Sequence, residues 1–393
     1  MERAASGGQK RGAMKYGGIL RIGFKLLVND KPKFTALLIG ITFSVFLMMM
    51  MTAMFAGILN HSYSTVTNIG ADMWIIDPSV NTPTGPIPMP DYVLDVVRSM
   101  DEVSYAVPLF IGGALVKLQS GNYQSVTVVG LDEDSLFGRP ELEKGNILNI
   151  YNDNTFLAVD DAEFPKLENA KIGTSFELND HRGTIVGIAR VAVNGLNGIP
   201  TLYTTYYRAI EYIPSMRFTL SYVLVQPKSA AAVAAIKQKV AQLGYVALTK
   251  EEFNQSIANY YTYKTGVGTN ILLMVAIAFI VGLSISGQTF YTFILENLEK
   301  FGALKAIGAK GRELVYMILF MATFTALTGY GLGVGFVTLM IMIARSRLPN
   351  YAATITFWNL GLAFGMVLLI AGLSSYVGVR KVLKIEPFDI FRG

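Results

Sequence analysis

Residues that could carry out chemistry are sparse in this chain. It has two histidines, His61 and His181, and no cysteine among its 393 residues. His181 lies between Asp180 and Arg182, but no spacing in the sequence brings a third ligand to this pair. Without cysteine there are no disulfides, no thiol catalysis and no Cys-ligated zinc. We interpret both histidines as surface turn residues, and the sequence predicts no metal site.

Motifs of known enzyme classes are also missing from the sequence. It contains neither a G-x-S-x-G nucleophile elbow nor a G-x-x-x-x-G-K-[ST] phosphate loop. The glycine-rich run around Gly331 lies inside an apolar segment, which is the wrong context for a phosphate loop. We therefore expect no catalytic residue and no cofactor bound by this chain, with any ATP and Mg²⁺ held by a partner.

Four long apolar segments dominate the chain instead. No Asp, Glu, Lys or Arg occurs in the 31 residues between Lys264 and Glu296, the 31 between Glu313 and Arg345, or the 32 between Arg347 and Arg380. A helix needs only ~20 apolar residues to cross a bilayer. A fourth apolar run follows Lys33. We predict transmembrane helices at 34–59, 267–295, 314–344 and 357–379. Because these segments hold no ionisable residue at mid-span, an ion-driven transporter is disfavoured.

The distribution of charge predicts the topology. The segments 1–33, 296–313 and 380–393 together carry 16 basic and 7 acidic residues, whereas 60–264 carries 15 basic and 21 acidic. Basic residues beside spans stay on the cytoplasmic side. We therefore predict a multi-pass protein of the cell inner (plasma) membrane, with both termini and the 296–313 segment in the cytoplasm. The 345–356 loop is then extracytoplasmic, and the polar 33-residue leader indicates a retained first span.

The segment 60–264 is long enough to fold as a domain of its own. Alternating strand patterns and several helical runs predict a mixed α+β region, with a break in one strand at Gly112-Gly113 and a turn from Asn179 to Gly183. Residues 1–33 include a basic amphipathic helix, with Ile19, Ile22, Leu26 and Leu27 on one face. The predicted fold is thus an α-helical membrane protein with four spans and an α+β extracytoplasmic domain inserted between the first and second.

The segment between the second and third spans, 296-ENLEKFGALKAIGAKGREL-314, has a helical pattern. Leu298, Phe301, Leu304 and Ile307 recur along one side, and Gly308 and Gly311 would end or bend the helix. A helix of this kind suits docking into a groove of a partner, with Phe301 and Leu304 as anchors. Periodicity leaves open the alternative of an interfacial helix that only connects two spans.

The same segment resembles the motif E-I-G-L-L-R-A-I/L-G-A-x-x-R-x-I of the FtsX/MacB-like (type VII) ABC transporter permeases. Phe301 and Lys305 stand where the family more often has Ile and Arg. In that family the motif forms the coupling helix that contacts the ATPase. The resemblance implies an ATPase-coupling role for the residues of this segment, namely Glu296, Glu299, Lys300, Phe301, Gly302, Leu304, Lys305, Ile307, Gly308, Ala309 and Arg312.

The rest of the chain agrees with this resemblance. The tail 380-RKVLKIEPFDIFRG-393 is similar to the family's ending, with matches at Lys384, Ile385, Glu386, Pro387 and Arg392. The stretch 69-IGADMWIIDPS-79 looks like DevC-type export permeases. Such a permease implies mechanotransmission, in which a separate ATPase moves the periplasmic domain and the substrate is exported. It also implies a second permease copy, as homodimer or heterodimer, and a DevC-like member implies an adaptor and an outer-membrane channel.

Some relatives in this family carry no substrate. They regulate a periplasmic hydrolase or sense antibiotic peptides, and this regulatory role is the alternative to export.

Glycines recur at helical spacing in the last two spans. Gly329, Gly331, Gly333 and Gly335 form two overlapping G-x-x-x-G pairs, and Gly361 with Gly365 forms a third. Small residues at this spacing let transmembrane helices approach closely. The sequence leaves open whether these glycines pack within one subunit or between subunits.

Overall fold

A computed structural model of the chain describes residues 18–196, 198–213, 219–348 and 350–384. The chain divides into two compact units. The helical unit contains the described residues up to Ala56, Thr269–Arg347 and those from Ala353 onward, and the α/β unit contains Gly57–Gly268 and Leu348–Ala352. The first residues of the predicted amphipathic helix, and the tail matches from Ile385 to Arg392, lie outside the described residues.

Four of the described helices are long and apolar enough to cross a bilayer, which confirms the predicted number. The α-helices are α1 (18–29), α2 (Lys31–Ser62), α3 (Ser64–Ile69), α4 (Tyr92–Arg98), α5 (Tyr206–Tyr212), α6 (Ala232–Gln242), α7 (Lys250–Asn259), α8 (Val267–Glu296), α9 (Leu298–Ala306), α10 (Gly311–Arg347) and α11 (Phe357–Leu383). The spanning candidates are α2, α8, α10 and α11. Pro32 lies in the first turn of α2, where its missing N–H costs no helical hydrogen bond.

The α/β unit is built on one large sheet. The strands of this unit are β1 (Met73–Ile76), β2 (Met89–Pro90), β3 (Val103–Lys117), β4 (Tyr123–Leu131), β5 (Glu141–Gly145), β6 (Thr155–Val159), β7 (Ser175–Leu178), β8 (His181–Arg190), β9 (Thr201–Thr205), β10 (Thr219–Leu220), β11 (Tyr222–Pro227) and β12 (Val246–Thr249). Strands β2 and β10 form a separate two-stranded sheet, and the others belong to the large sheet. The order in the large sheet is β12-β1-β11-β3-β4-β9-β6-β8-β5. All pairs are antiparallel except β4 with β9 and β6 with β8.

Strand β3 joins the two halves of this sheet. Its first half pairs with β11, and its second half, from Phe110, pairs with β4. Its last residues, Val116 and Lys117, also pair with β7, which pairs in turn with β8. The ring β3-β4-β9-β6-β8-β7 is therefore closed, as in a small barrel. The predicted break at Gly112-Gly113 is wrong, because both glycines pair with β4 in register.

Two apolar cores lie on opposite faces of the sheet. In β1, Met73 and Ile75 belong to one core, whereas Trp74 and Ile76 belong to the other. Successive side chains of a strand point to opposite faces, so a strand covered on both faces reads as a continuous apolar run. In the second core, Trp74 packs against the rings of Tyr222 and Phe253 at centroid distances of 5.6 and 5.5 Å.

The two histidines are not the surface turn residues that the sequence indicated. The β7–β8 turn consists of Asn179 and Asp180 alone, both with positive φ (47° and 67°), as a two-residue type I′ hairpin requires. His181 therefore begins β8, and its ring stacks on Tyr212 at 4.4 Å. His61 lies in the last turn of α2.

Two lysines of α6 attach this helix to its surroundings. Lys237 Nζ donates to the carboxylate of Glu252 on α7 at 2.6 Å, and Lys239 Nζ donates to that of Glu102 at 2.6 Å. These hydrogen bonds from lysine lower the pKa of both glutamates below the usual value of 4.5. A carboxylate with a lowered pKa stabilises the fold above its unfolded-state pKa, and this stabilisation disappears as the pH falls through the folded-state pKa.

We therefore expect acid to weaken the attachment of α6. The melting temperature of the purified full chain should fall between pH 5 and pH 3, and the Glu102→Gln/Glu252→Gln double variant should show a smaller fall. Circular dichroism in detergent measures both. The control is Glu141→Gln/Glu251→Gln, two exposed glutamates. An equal fall in all three proteins would contradict the assignment.

Candidate coupling surface and span packing

Helix α9 is joined to α8 by a single residue, Asn297. This side chain is buried, and its Nδ2 donates to the carbonyl of Phe293 at 2.8 Å. Its Oδ1 accepts from Lys300 Nζ at 2.8 Å, and its carbonyl accepts from the N–H of Phe301 at 3.1 Å. Asn297 therefore bonds to both helices and fixes the angle at which α9 leaves α8.

The sequence predicts that Phe301 and Leu304 face a partner, but the structure exposes a different side of α9. Phe301 is only 1 % exposed and Gly302 is buried, whereas Leu304 and Lys305 are half-buried. Phe301 is therefore not open to a partner in this structure, because its side chain is packed inside the helical unit, and its expected contact with the ATPase stays a prediction. The large apolar residue open to a partner is Ile307, which is 86 % exposed. The other exposed residues of this segment are Glu296, Glu299, Lys300, Ala303, Ala306, Gly308, Lys310 and Arg312.

The turn after α9 explains the Gly-Ala pair of the motif. Gly308 has φ of 101°, in the region that favours glycine. Its N–H donates to the carbonyl of Lys305 at 3.1 Å, and that of Ala309 donates to the carbonyl of Leu304 at 3.0 Å. This pair of bonds is the Schellman motif, which satisfies the last carbonyls of a helix. Lys305 Nζ also lies 3.5 Å from the carbonyl of Leu383 at the end of α11.

The second half of the motif begins α10. Gly311 does not end a helix, as expected from the sequence, but is the first residue of α10. The buried Glu313 reaches back so that its Oε2 accepts from the N–H of Lys310 at 2.9 Å, as the third residue of a capping box does. Sequence reasoning missed Glu313, although a glutamate three residues after a helix-starting position was a detectable signal.

Glu296 is exposed, but its carboxylate is already paired with another residue of the helical unit. Its carboxylate makes an ion pair with Lys33, and Lys33 Nζ also lies 2.9 Å from Asp30 Oδ2. Asp30 is the residue between α1 and α2, and Glu296 is the last residue of α8. The three side chains therefore connect the start of α2 to the end of α8.

Helix α1 packs against α10 rather than standing alone. Gly23 faces Met317, whose Cγ would lie 2.5 Å from a Cβ at that position. The ring of Phe24 meets that of Phe324 edge-on at a centroid distance of 5.1 Å, and Leu27 is fully buried. The amphipathic pattern placed Ile22 on the apolar face, but Ile22 is 42 % exposed, because the contact face runs through Gly23 and Leu27.

The six glycines of the last two spans fall into two groups. A Cβ at Gly329 would lie 2.7 Å from Ile41 Cγ2, and one at Gly333 would lie 2.6 Å from Val45. These two glycines therefore let α10 approach α2 within one chain. A Cβ at any of the others, Gly331, Gly335, Gly361 or Gly365, would meet no atom within 4 Å. For these four, packing between subunits remains a prediction.

Three further close contacts join a glycine to serine or isoleucine, and the G-x-x-x-G pattern does not predict them. Gly282 on α8 packs directly on Ser44 of α2, and Ser44 Oγ donates to the carbonyl of Ala278 at 2.7 Å. Gly40, one turn before Ser44, faces Ile285, and Gly378 of α11 faces Ile294. Serine is also a small residue, so close helix packing is indicated as well by the spacings Gly40-x-x-x-Ser44 and Gly282-x-x-x-Ser286.

In the α/β unit, the loop 348–352 is bonded to the domain through Asn350. Its Nδ2 donates to Oε1 of the buried Glu163 at 2.9 Å and lies 3.4 Å from the carbonyl of Gly195. Glu163 Oε2 also pairs with Lys166 at 2.5 Å. Its N–H donates to Asp161 Oδ1 at 2.9 Å, and burial raises the pKa of Asp161. Within the described ranges, no group of three His, Cys, Asp or Glu side chains forms a metal site.

Two family models match this chain. Residues 35–243 match the MacB-like periplasmic core domain, and residues 271–387 match the C-terminal part of FtsX-like permeases. The first covers more than half of the chain, and the second includes α9 and its turn. The chain is an FtsX/MacB-like ABC transporter permease.

Two similar proteins are described as permeases. The permease is 24 % identical to an uncharacterized ABC transporter permease of Mycobacterium tuberculosis, over 91 % of this chain and 93 % of that one. It is 23 % identical to a putative hemin transport system permease protein, HrtB, of Staphylococcus haemolyticus, over 40 % of this chain and 43 % of that one.

Two solved domains are also similar. The extracellular domain of the transporter YknZ from Gram-positive bacteria matches at 10 % identity with a TM-score of 0.35, over 46 % of this chain and 99 % of that one. The periplasmic region of MacB from Actinobacillus actinomycetemcomitans matches at 11 % identity with a TM-score of 0.37, over 48 % and 95 %.

Family membership confirms the sequence-based identification. The permease is a multi-pass membrane subunit, and a permease of an ABC transporter works with a partner ATPase. Its α/β unit corresponds to the region matched by the periplasmic core domain model.

The two groups of glycines predict different mutational outcomes. Gly329→Leu/Gly333→Leu should destabilise the permease by several kcal/mol, since an overpacked site typically costs about 1–3 kcal/mol. Gly331→Leu/Gly335→Leu is the matched control and should leave the melting temperature of the single chain nearly unchanged. Thermal unfolding in detergent measures both. Equal tolerance of the two pairs would show that α2 and α10 do not pack tightly.

Proposed function

We propose that this permease couples ATP hydrolysis on a separate cytoplasmic ATPase to movement of its α/β domain, and thereby to export of a substrate. The observation that carries the proposal is α9, a short helix mounted between two spanning helices with an exposed apolar residue, Ile307, at its end. The chain itself would bind no cofactor, and ATP and Mg²⁺ would belong to the ATPase.

The proposed orientation follows from charge. The ends of the spans that carry α1, α9 and the C-terminal tail are the basic ones, and basic flanks stay in the cytoplasm. Both termini and α9 would then face the cytoplasm, and the α/β domain would face the outside of the inner (plasma) membrane. With this topology, the ATPase and the α/β domain lie on opposite sides of the bilayer, so the spans must carry the signal.

The structure of α9 suits the transfer of force. An apolar residue at a docking surface contributes most to the free energy of binding when its surroundings are already rigid, because little conformational entropy is then lost on binding. Ile307 is followed at once by the Schellman turn at Gly308, and α9 is fixed by the buried Phe301 and by Asn297. A push on Ile307 would therefore displace α8 and α10 rather than bend a loose loop.

On the other side, two chain segments enter the α/β domain with side-chain hydrogen bonds. Helix α2 runs into α3, whose Asn68 makes two hydrogen bonds to the backbone of Val193, at 2.8 and 3.1 Å. The connection between α10 and α11 bonds through Asn350 to Glu163. Motion of these spans would reach the domain through both segments.

The remaining partners are part of the same proposal. A second permease copy, identical or similar, would complete the transporter, and Gly331 and Gly335 lie on an open face of α10 where such a copy would pack. A periplasmic adaptor and an outer-membrane channel would extend the path of the substrate beyond the membrane.

The first test is purification of the tagged permease from native membranes in mild detergent, with mass spectrometry of the co-purifying chains. An ABC ATPase together with an adaptor supports the exporter. A cell-wall hydrolase or a sensor kinase in place of the adaptor would favour a regulatory role, and the absence of any ATPase would contradict the coupling proposal.

Replacing the exposed apolar residue tests the coupling surface. Ile307→Asp should leave the melting temperature unchanged and reduce co-purification of the ATPase at least tenfold, because a charge would replace the apolar contact. The matched control is Ile172→Asp, an isoleucine of the α/β unit that is 49 % exposed. Phe301→Asp should instead unfold the protein, since it buries a charge. A fully bound ATPase with Ile307→Asp would exclude Ile307 from the interface.

The hydrogen bond of Asn350 predicts an uncoupled variant. Asn350→Asp places a second carboxylate beside the buried Glu163, and like charges repel. We expect ATPase binding and basal ATP hydrolysis to persist while substrate-dependent stimulation falls severalfold. Asn169→Asp, an exposed residue of the same domain, is the control. Unchanged stimulation in Asn350→Asp would show that this loop transmits nothing.

A further inference from the structure

A groove opens in the helical unit between α1 and α9, with a volume of about 530 Å³. The side of the groove formed by α1 and the residues after it carries Ile22, Lys25, Leu26 and Asp30, and the α9 side carries Lys300. Lys300 is also one of the residues to which the family resemblance assigns ATPase coupling, whereas Ile22, Lys25, Leu26 and Asp30 lie outside the 296–314 segment.

The charges around this groove leave two cations available. Asp30 supplies a carboxylate, but this group is already bonded to Lys33 at 2.9 Å. In the part of the chain that the structure describes, neither Lys25 nor Lys300 forms a salt bridge, and Lys300 Nζ donates only to the neutral amide of Asn297. Two ammonium groups therefore remain for an anion.

The groove also offers apolar surface beside these cations. Ile22 is 42 % exposed and Leu26 is half-buried. A free phosphate has no use for such a surface, whereas a molecule with an anionic head and an apolar body can use both at once.

The groove lies beside the ends of two spans, and this position favours a membrane lipid as the amphiphile. Asp30 immediately precedes α2, and Lys300 lies four residues after the end of α8. Both helices are long and apolar enough to cross a bilayer, so their ends lie at the level of the lipid head groups. Basic pockets beside helix ends bind anionic lipid head groups in this way.

We propose that this groove binds the phosphate head of an anionic phospholipid, with Lys25 and Lys300 on the phosphate and Ile22 and Leu26 against the first part of the acyl chains. Such a lipid would bridge α1 to α9 and so stiffen the helix on which the coupling surface is mounted. The binding itself requires the spans but does not depend on an ATPase partner.

The experiment uses the purified full-length permease, without ATPase, and native mass spectrometry after exchange into mixed micelles of detergent with phosphatidylglycerol or phosphatidylcholine. The wild type should retain phosphatidylglycerol in preference to phosphatidylcholine. In Lys25→Gln/Lys300→Gln the affinity for phosphatidylglycerol should fall roughly thirtyfold, as expected for the loss of two cations near a head group. Lys25→Arg/Lys300→Arg should retain it.

The control is Lys381→Gln/Lys384→Gln, which removes two exposed cations at the end of α11. Equal retention in wild type and Lys25→Gln/Lys300→Gln would overturn the proposal, and so would an equal loss in the control. Displacement of the lipid by millimolar inorganic phosphate would identify a free-anion site instead. If Lys25→Gln/Lys300→Gln left lipid retention unchanged and instead reduced co-purification of the ATPase from native membranes, the groove would be a protein interface and the proposal would be overturned. All four proteins should keep the same circular dichroism melt.

Discussion

Close approach of helix backbones at small residues is the constraint on which the helical unit depends. Lipid tails are as apolar as leucine, so burial alone does not hold transmembrane helices together, and close packing must do so. Gly329 and Gly333 bring α10 against α2, and Gly282 brings α8 against Ser44. Helix α2 takes part in each of these contacts, and Gly378 brings α11 against Ile294 of α8 in the same way, so a larger side chain at any of these positions would separate two spans.

In the 296–314 segment, several residues of the motif shape the backbone, and one presents an apolar side chain to the outside. Gly308 is required because its φ is 101°, and Glu313 is required because it caps α10. These residues build the turn, whereas Ile307 is the residue that the turn presents. A motif residue can thus recur in a family for the geometry of the backbone, even when it never touches the partner. Phe301 belongs to the same structural group, since it is buried.

The sequence could predict the spans, because a span is a property of a long stretch of residues. Uncharged runs of more than 30 residues identify the four spans, because no soluble helix needs such a length without charge. It could not identify which side of α9 is buried, because all four residues of its stripe, from Leu298 to Ile307, are apolar and only tertiary contacts distinguish Phe301 from Ile307. The β1 strand was missed for a similar reason, since four apolar residues covered on both faces have no alternation.

The contacts that hold α9 in the helical unit differ in kind from those that hold Asn68 and Asn350 in the α/β unit. At α9 the contacts are the burial of Phe301, the side-chain hydrogen bonds of Asn297 and the backbone bonds of the Schellman turn, and a packed interior of this kind is stiff. In the α/β unit, Asn68 is held to Val193 and Asn350 to Glu163 by side-chain hydrogen bonds. Each such bond contributes only about 0.5–1.5 kcal/mol, so it can break and re-form during a cycle. Under the proposed coupling, the stiff packing of α9 would pass on a displacement, and the weaker bonds of Asn68 and Asn350 would allow the permease to return to its starting state.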